Sequence, residues 1–126
     1  MKFRNFKLVG YVVYGRGGFN QLDEILAPHR KDGQPMVFLV DHFFEGKELV
    51  NRIPLRDNDL ILFADVTTEP KTVYVDELAS RLKQEFGSIS GVIGIGGGST
   101  LDLAKAVSLM MQATVTYMTS QTGKHS

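Results

Sequence analysis

Residues 91–105 read GVIGIGGGSTLDLAK, and this stretch decides the fold predicted for the chain. Its apolar run, Val92 to Ile95, is rich in β-branched residues and predicts a buried strand. The run of glycines that follows predicts a tight turn and consists of Gly96, Gly97 and Gly98. Behind the turn, apolar residues recur at helical spacing as far as Met111. The stretch is therefore predicted to form a strand, a glycine turn and a helix.

The glycine turn has a ligand-binding interpretation. Glycine reaches backbone conformations that other residues avoid, and it lets the chain approach a ligand closely. The turn leads into a helix N-terminus, where unpaired N–H groups and the helix dipole attract a phosphate or pyrophosphate. The alternative is a tight connection that binds nothing. Ser99 and Asp102, taken by themselves, favour capping of the helix, with Ser99 as the N-cap residue.

The glycine run differs from two familiar phosphate-binding motifs. Gly94 and Gly96 supply the start of G-x-G-x-x-G, but Ser99 stands at the position of its third glycine. No Gly-Lys-Ser or Gly-Lys-Thr follows, so the run is not a P-loop.

The composition is that of one globular domain. The chain has 126 residues, and its 14 basic and 14 acidic side chains cancel, which argues against nucleic acid or an anionic membrane as a partner. No apolar run approaches the length needed to cross a membrane. The sequence contains no cysteine, which excludes disulfides and thiolate chemistry and fits a cytoplasmic location.

Alternating strand and helix patterns fill the rest of the chain. Further strands are predicted at Leu8–Tyr14, Met36–Val40 and Leu60–Ala64, with helical patterns between them. This alternation predicts an α/β fold with a mainly parallel sheet and helices on both faces. Residues 1–112 are predicted to form the domain. Residues 113–126 are rich in threonine and serine and are predicted to be a weak strand or a disordered tail.

Acidic residues close two of these strands. Asp41 follows the second strand, where a carboxylate can hold ribose hydroxyls and exclude a 2′-phosphate. Such an acid usually comes after the glycine turn, whereas Asp41 precedes it, so the residues alone favour a solvated turn aspartate. Asp65 closes the third strand, and two carboxylates at strand ends suit Mg²⁺ in a receiver-like protein. The further acids that a receiver needs are not identifiable in the sequence.

The stretch GGGSTLDLAK resembles the GGGSxxDxAK signature of the iron-containing alcohol dehydrogenase family. The matching residues are Gly96, Gly97, Gly98, Ser99, Asp102, Ala104 and Lys105. The resemblance extends over roughly Phe3 to Met111. It implies a single Rossmann-like domain, the N-terminal nucleotide-binding domain of a two-domain enzyme. In that family a second, helical domain carries the metal, and this chain is expected to lack it.

The resemblance implies a role for particular residues. Gly96, Gly97, Gly98, Ser99 and Asp102 would contact the dinucleotide cofactor. Asp41 would contact the adenosine ribose, which implies NAD in preference to NADP. Hydride would pass to the nicotinamide from an alcohol bound to Fe²⁺ or Zn²⁺. The metal is expected only with the missing domain, so this chain alone is expected to be inactive.

One departure from the family pattern bears on the substrate. Many members have an asparagine where this chain has Glu69, and a carboxylate cannot donate a hydrogen bond as an amide does. Glu69 and the short segment from His42 to Asp59 resemble the 3-deoxy-manno-octulosonate 8-oxidase branch, which acts on a sugar acid. A small alcohol or a sugar acid is therefore the expected substrate.

Other functions stay open from the residues alone. The histidines His29, His42 and His125 have no helical ligand spacing, so no metal ligand and no catalytic residue is assigned. The chain is alternatively a stand-alone nucleotide- or phosphate-binding module, or a remnant that binds nothing. Association as a homodimer, through a face left uncovered without the second domain, is a further expectation.

Overall fold

The computed structural model describes residues 9–13, 18–56, 58–65 and 71–119. Their strands are β1 (Val9–Val13), β2 (Met36–Asp41), β3 (Leu60–Ala64), β4 (Gly91–Ile95) and β5 (Thr114–Thr119). The α-helices are α1 (Gly18–Leu26), α2 (Glu48–Asn51), α3 (Lys71–Phe86) and α4 (Gly98–Met111). Short 3₁₀ helices follow α1 at Ala27–His29 and β2 at His42–Phe44.

The strands form one sheet of five in the order β1-β5-β4-β2-β3, and every adjacent pair is parallel. Parallel strands require crossover connections, and the helices between them provide these. The predicted α/β fold with a Rossmann-like parallel sheet is therefore confirmed. Because all strands run the same way, their carboxyl ends lie together at one edge of the sheet.

Helices cover both faces of the sheet. The face covered by α3 and α4, here the front face, holds a core that includes Val37, Leu39 and Val92. The back face packs against α1 and the segment after α2, with Phe38 and Ile93 at its centre. Strand β2 is buried on both sides, so its sequence is a continuous apolar run and does not alternate with polar residues.

The sheet includes a strand that lies beyond the predicted domain boundary. Residues 113–126 are predicted from sequence to be a weak strand or a disordered tail outside the domain. Thr114–Thr119 do form a strand, but this strand, β5, lies inside the sheet and is hydrogen-bonded to both β1 and β4. Its Tyr117 packs in the front core and its Met118 in the back core. A domain boundary at residue 112 would therefore exclude a strand that belongs to the sheet. Residues 120–126 lie outside the described residues.

The threonines of β5 explain why the segment looks weak in sequence. Threonine is β-branched and favours extended backbone, but its hydroxyl lowers the apolar signal that identifies a buried strand. Thr116 is buried in the sheet despite its hydroxyl. Among the described helices, none is long and apolar enough to cross a membrane.

Candidate functional site

The candidate site lies where two adjacent strands send the chain to opposite faces of the sheet. After β2 the chain continues along the back face to β3, and after β4 it passes through α4 on the front face to β5. This is a topological switch point, and open α/β sheets bind ligands outside the carboxyl ends of the strands there. Asp41 ends β2, and the glycine turn follows β4 directly. The pairing of β2 with β4 therefore brings the two predicted contacts together.

Gly96 is required by the packing of this turn. Its φ is +148°, a conformation that residues with a side chain rarely adopt. Its N–H donates to the carbonyl of Met118 on β5 at 3.2 Å, which ties the turn to the sheet. A Cβ at this position would lie 2.9 Å from the Cβ of Asp41 and 3.2 Å from the Oγ1 of Thr100. Both backbone and space therefore demand glycine.

Gly97 and Gly98 are not required in the same way. A Cβ built at either one meets nothing within 4 Å in the described structure, and both residues are exposed. Gly97 has φ −88° and ψ −169°, which any residue can adopt. The described packing therefore gives no reason for glycine at these two positions. They leave open space directly in front of helix α4.

Helix α4 begins earlier than its sequence suggests. Ser99 is predicted as the N-cap residue, with Asp102 completing a capping box, but this prediction is wrong. Gly97 is the N-cap and no side chain bonds the helix start, so Ser99 is the second residue of the helix. Gly97 takes the cap position because the chain turns at Gly96, directly after β4 ends at Ile95. Asp102 then lies beyond the first turn, out of capping position.

The helix start consequently presents free donors. The first bond within the helix runs from the N–H of Leu101 to the carbonyl of Gly97 at 3.0 Å. The amides of Gly98, Ser99 and Thr100 precede it and have no acceptor inside the helix. With about half a positive charge from the helix dipole, these amides can receive an anion.

Thr100 is a site residue that sequence reasoning misses. It is fully buried beside Gly96, and its Oγ1 has no hydrogen-bond partner within the described part of the chain. An unsatisfied buried hydroxyl costs about 1–3 kcal/mol, so this one is an unusual feature of the turn. Threonine at this position carries no distinctive sequence signal.

Asp41 has two structural roles at the end of β2. Its Oδ1 accepts a hydrogen bond from the N–H of Phe43 at 3.0 Å and so caps the 3₁₀ helix His42–Phe44. Its Cβ also lies against Gly96. The residue is half-buried and is more than a solvated turn aspartate, although its order along the chain gave no sign of this.

Asp102 lies apart from the switch point. It is exposed and lines a groove of about 470 Å³ between α3 and α4, together with Val75, Leu103 and Met110. The structure thus brings Asp41, the glycines and Ser99 to one edge, and places Asp102 on the side of α4 that faces α3. Its role as a cofactor contact stays a prediction.

The other polar groups described at this edge include a histidine–carboxylate pair. The Nε2 of His42 lies 3.6 Å from the Oδ1 of Asp65, with both side chains about half exposed. In the described ranges, no cluster of three or more histidine, cysteine, aspartate or glutamate side chains could hold a metal ion. The described residues therefore do not bring together the three or four protein ligands that Fe²⁺ or Zn²⁺ usually takes. Glu69 lies outside the described residues.

The sheet order, the switch point and the glycine turn define an α/β protein of the Rossmann-like class. Comparison with known families gives a more particular assignment. The model of the family described as iron-containing alcohol dehydrogenase matches residues 10–125. The chain belongs to this family, which confirms the resemblance seen in its glycine signature.

The chain is similar in fold to several solved structures. A probable glycerol dehydrogenase from Sinorhizobium meliloti 1021 is 24% identical, with a TM-score of 0.63 over 92% of this chain and 31% of its own. Maleylacetate reductase from Agrobacterium tumefaciens is 17% identical, with a TM-score of 0.64 over 92% and 32%. Maleylacetate reductase from Rhizobium sp. strain MTP-10005 is 17% identical, with a TM-score of 0.58 over 92% and 32%.

At these identities the likeness shows the fold alone. This chain spans about a third of the length of the structures that it matches.

Proposed function

We propose that this chain is the NAD-binding domain of a metal-dependent alcohol dehydrogenase. One observation carries the proposal. At the switch point, no side chain caps helix α4, and its N-cap Gly97 and its first residue Gly98 both have open space at their Cβ positions. The family to which the chain belongs supports an oxidoreductase.

The pyrophosphate of the cofactor fits the glycine turn. The amides of Gly98, Ser99 and Thr100 supply hydrogen-bond donors, and the helix dipole adds favourable potential. The missing side chains at Gly97 and Gly98 let the phosphate oxygens reach these amides. The turn itself is held rigid by the bond from Gly96 to β5. The binding of a ligand there therefore loses little free energy to ordering of the backbone.

Asp41 is proposed to hold the adenosine ribose. One carboxylate oxygen already accepts from Phe43, and a carboxylate has further lone pairs for two hydroxyl donors. A 2′-phosphate at the same place would bring like charges together. NAD is therefore proposed as the cofactor in preference to NADP.

The chemistry of the whole enzyme needs residues beyond this domain. Bound nicotinamide supplies a hydride acceptor, while this chain's residues bind the cofactor and orient it. The metal, Fe²⁺ or Zn²⁺, and the alcohol are proposed to bind residues outside this chain, which covers about a third of its structural neighbours. From the resemblance carried by Glu69 and residues 42–59, the substrate is proposed to be an alcohol of a sugar acid, such as 3-deoxy-manno-octulosonate. This chain alone is proposed to bind NAD without oxidising an alcohol.

Calorimetric titration of the 126-residue chain with NADH, NADPH and ATP tests the proposal. NADH is expected to bind, and NADPH to bind more weakly. Preferential binding of ATP would favour a stand-alone nucleotide-binding module. Flat titrations with all three ligands would contradict any nucleotide-binding function.

A further inference from the structure

Phe43 is an exposed aromatic side chain beside the proposed cofactor site. It lies two residues after Asp41, in the 3₁₀ helix at the carboxyl edge of the sheet. Its side chain is 62% exposed. A single exposed apolar residue is ordinary, but this ring stands next to a ligand site.

The ring of Phe43 is also held in place. Its backbone N–H donates to Asp41, so the carboxylate that ends β2 fixes the residue. Its ring meets Phe44 edge to face, with centroids 5.2 Å apart and an angle of 81° between the planes. Phe44 packs against the core of the back face and anchors the pair. Phe43 is therefore a preorganised aromatic surface.

One face of the Phe43 ring is in contact with the side chain of Lys47. The Nζ of Lys47 lies 4.5 Å from the centroid of Phe43, in a cation–π contact. Lys47 is exposed, so its long side chain can leave the ring and remain solvated. A planar group of greater contact area can take its place.

We propose that Phe43 is the stacking platform for the adenine base of the dinucleotide. This inference rests on the proposed NAD-binding function. The order of groups in the structure carries it: the glycine turn contacts Asp41, and Asp41 binds Phe43. Diphosphate, ribose and base follow one another in the same order in an adenosine nucleotide. Each chemical part of the ligand therefore meets a group suited to it.

A tryptophan at position 43 provides a direct test, since the chain contains no tryptophan. ADP is expected to quench the emission of Phe43→Trp in a saturable way, because the base stacks on the indole. Inorganic pyrophosphate, which lacks a base, is expected to leave the emission unchanged. The control is Leu109→Trp, because Leu109 is also 62% exposed but lies near the far end of α4. ADP that binds Phe43→Trp by calorimetry without changing its emission would overturn the inference.

The affinity of Phe43→Ala separates this inference from the proposed function. Loss of base stacking is expected to weaken NADH and ADP about tenfold, while pyrophosphate binding stays unchanged. Leu109→Ala is expected to bind all three probes like the unaltered chain. Equal NADH affinity in Phe43→Ala would overturn the platform and leave the NAD site standing. Failure of the unaltered chain to bind NADH would overturn both.

Discussion

Asp41 and Gly96 meet side by side across two parallel strands. A Cβ at Gly96 would lie 2.9 Å from the Cβ of Asp41, closer than real side chains approach one another. The Asp41 side chain at the end of β2 can take its place only because Gly96, the residue directly after β4, has no side chain. The proposed ribose contact and the proposed phosphate turn are thus parts of a single packed unit.

Gly96→Ala is expected to destabilise the domain by about 2–4 kcal/mol. A methyl group there combines a strained φ of +148° with contacts to Asp41 and Thr100 that leave it no room. Urea unfolding followed by circular dichroism measures the change. Gly97→Ala is the matched control, because its backbone conformation is ordinary and its Cβ meets open space. If the two variants were equally stable, the packing described for this turn would be wrong.

Gly97→Val is expected to abolish NADH binding while the domain stays folded. The valine side chain would occupy the open space in front of α4, where the pyrophosphate is proposed to bind. Calorimetry gives the affinity, and the circular dichroism spectrum reports the fold. Gly97→Ala should bind NADH with intermediate affinity, because it fills less of that space. An unchanged NADH affinity in the valine variant would contradict the assignment of the turn.

Asp41→Asn is expected to shift cofactor preference toward NADPH by about tenfold, because it removes the negative charge that repels a 2′-phosphate. The asparagine oxygen can still accept from Phe43, so the 3₁₀ helix should persist. The ratio of the NADH and NADPH dissociation constants is the measurement.

Asp65→Asn serves as the charge control for this experiment, since Asp65 follows the neighbouring strand β3. It is expected to change the ratio much less than Asp41→Asn does. The same ratio in both variants would mean that only the overall charge of this edge matters, against a specific contact by Asp41.

Asp59→Ala is expected to cost about 3–5 kcal/mol of stability, although it lies away from the proposed site. The Asp59 side chain is 1% exposed and pairs with Nη1 of Arg30 at 2.9 Å. It also accepts from the N–H groups of Met36 and Arg56. Removing the carboxylate therefore leaves a mostly buried guanidinium and two amides without their acceptor.

Asp23→Ala is the comparison for Asp59→Ala in thermal unfolding. Asp23 pairs with Arg56 at 2.8 Å, but both side chains are substantially exposed, so its loss should hardly move the midpoint. The pKa of Arg56 is raised, chiefly by its hydrogen bond to Asp23 and then by the charge of that carboxylate. A larger loss of stability from Asp23→Ala than from Asp59→Ala would contradict the role given to burial.

The strand–turn–helix at residues 91–105 could be predicted because its signals are local. β-branched residues favour the strand, and apolar spacing identifies the helix, within a few residues of each position. The start of α4 could not be predicted correctly, because serine is a common N-cap residue, whereas in the structure the turn at Gly96 leaves Gly97 at the N-cap position. That outcome depends on how the turn packs against β2 and β5.

The sequence by itself determined the alternation of strands and helices, the glycine turn and the family signature, since each depends on neighbours along the chain. Only the tertiary structure decided which strands lie side by side. The pairing of β2 with β4 joins residues that are distant in sequence, so no local pattern reports it. Because of that pairing, Asp41 lies beside Gly96, although its position in the sequence favours a solvated turn residue. Pairing with β1 and with β4 places β5 inside the sheet, where burial on both faces stabilises a strand whose threonines weaken its apolar signal in the sequence.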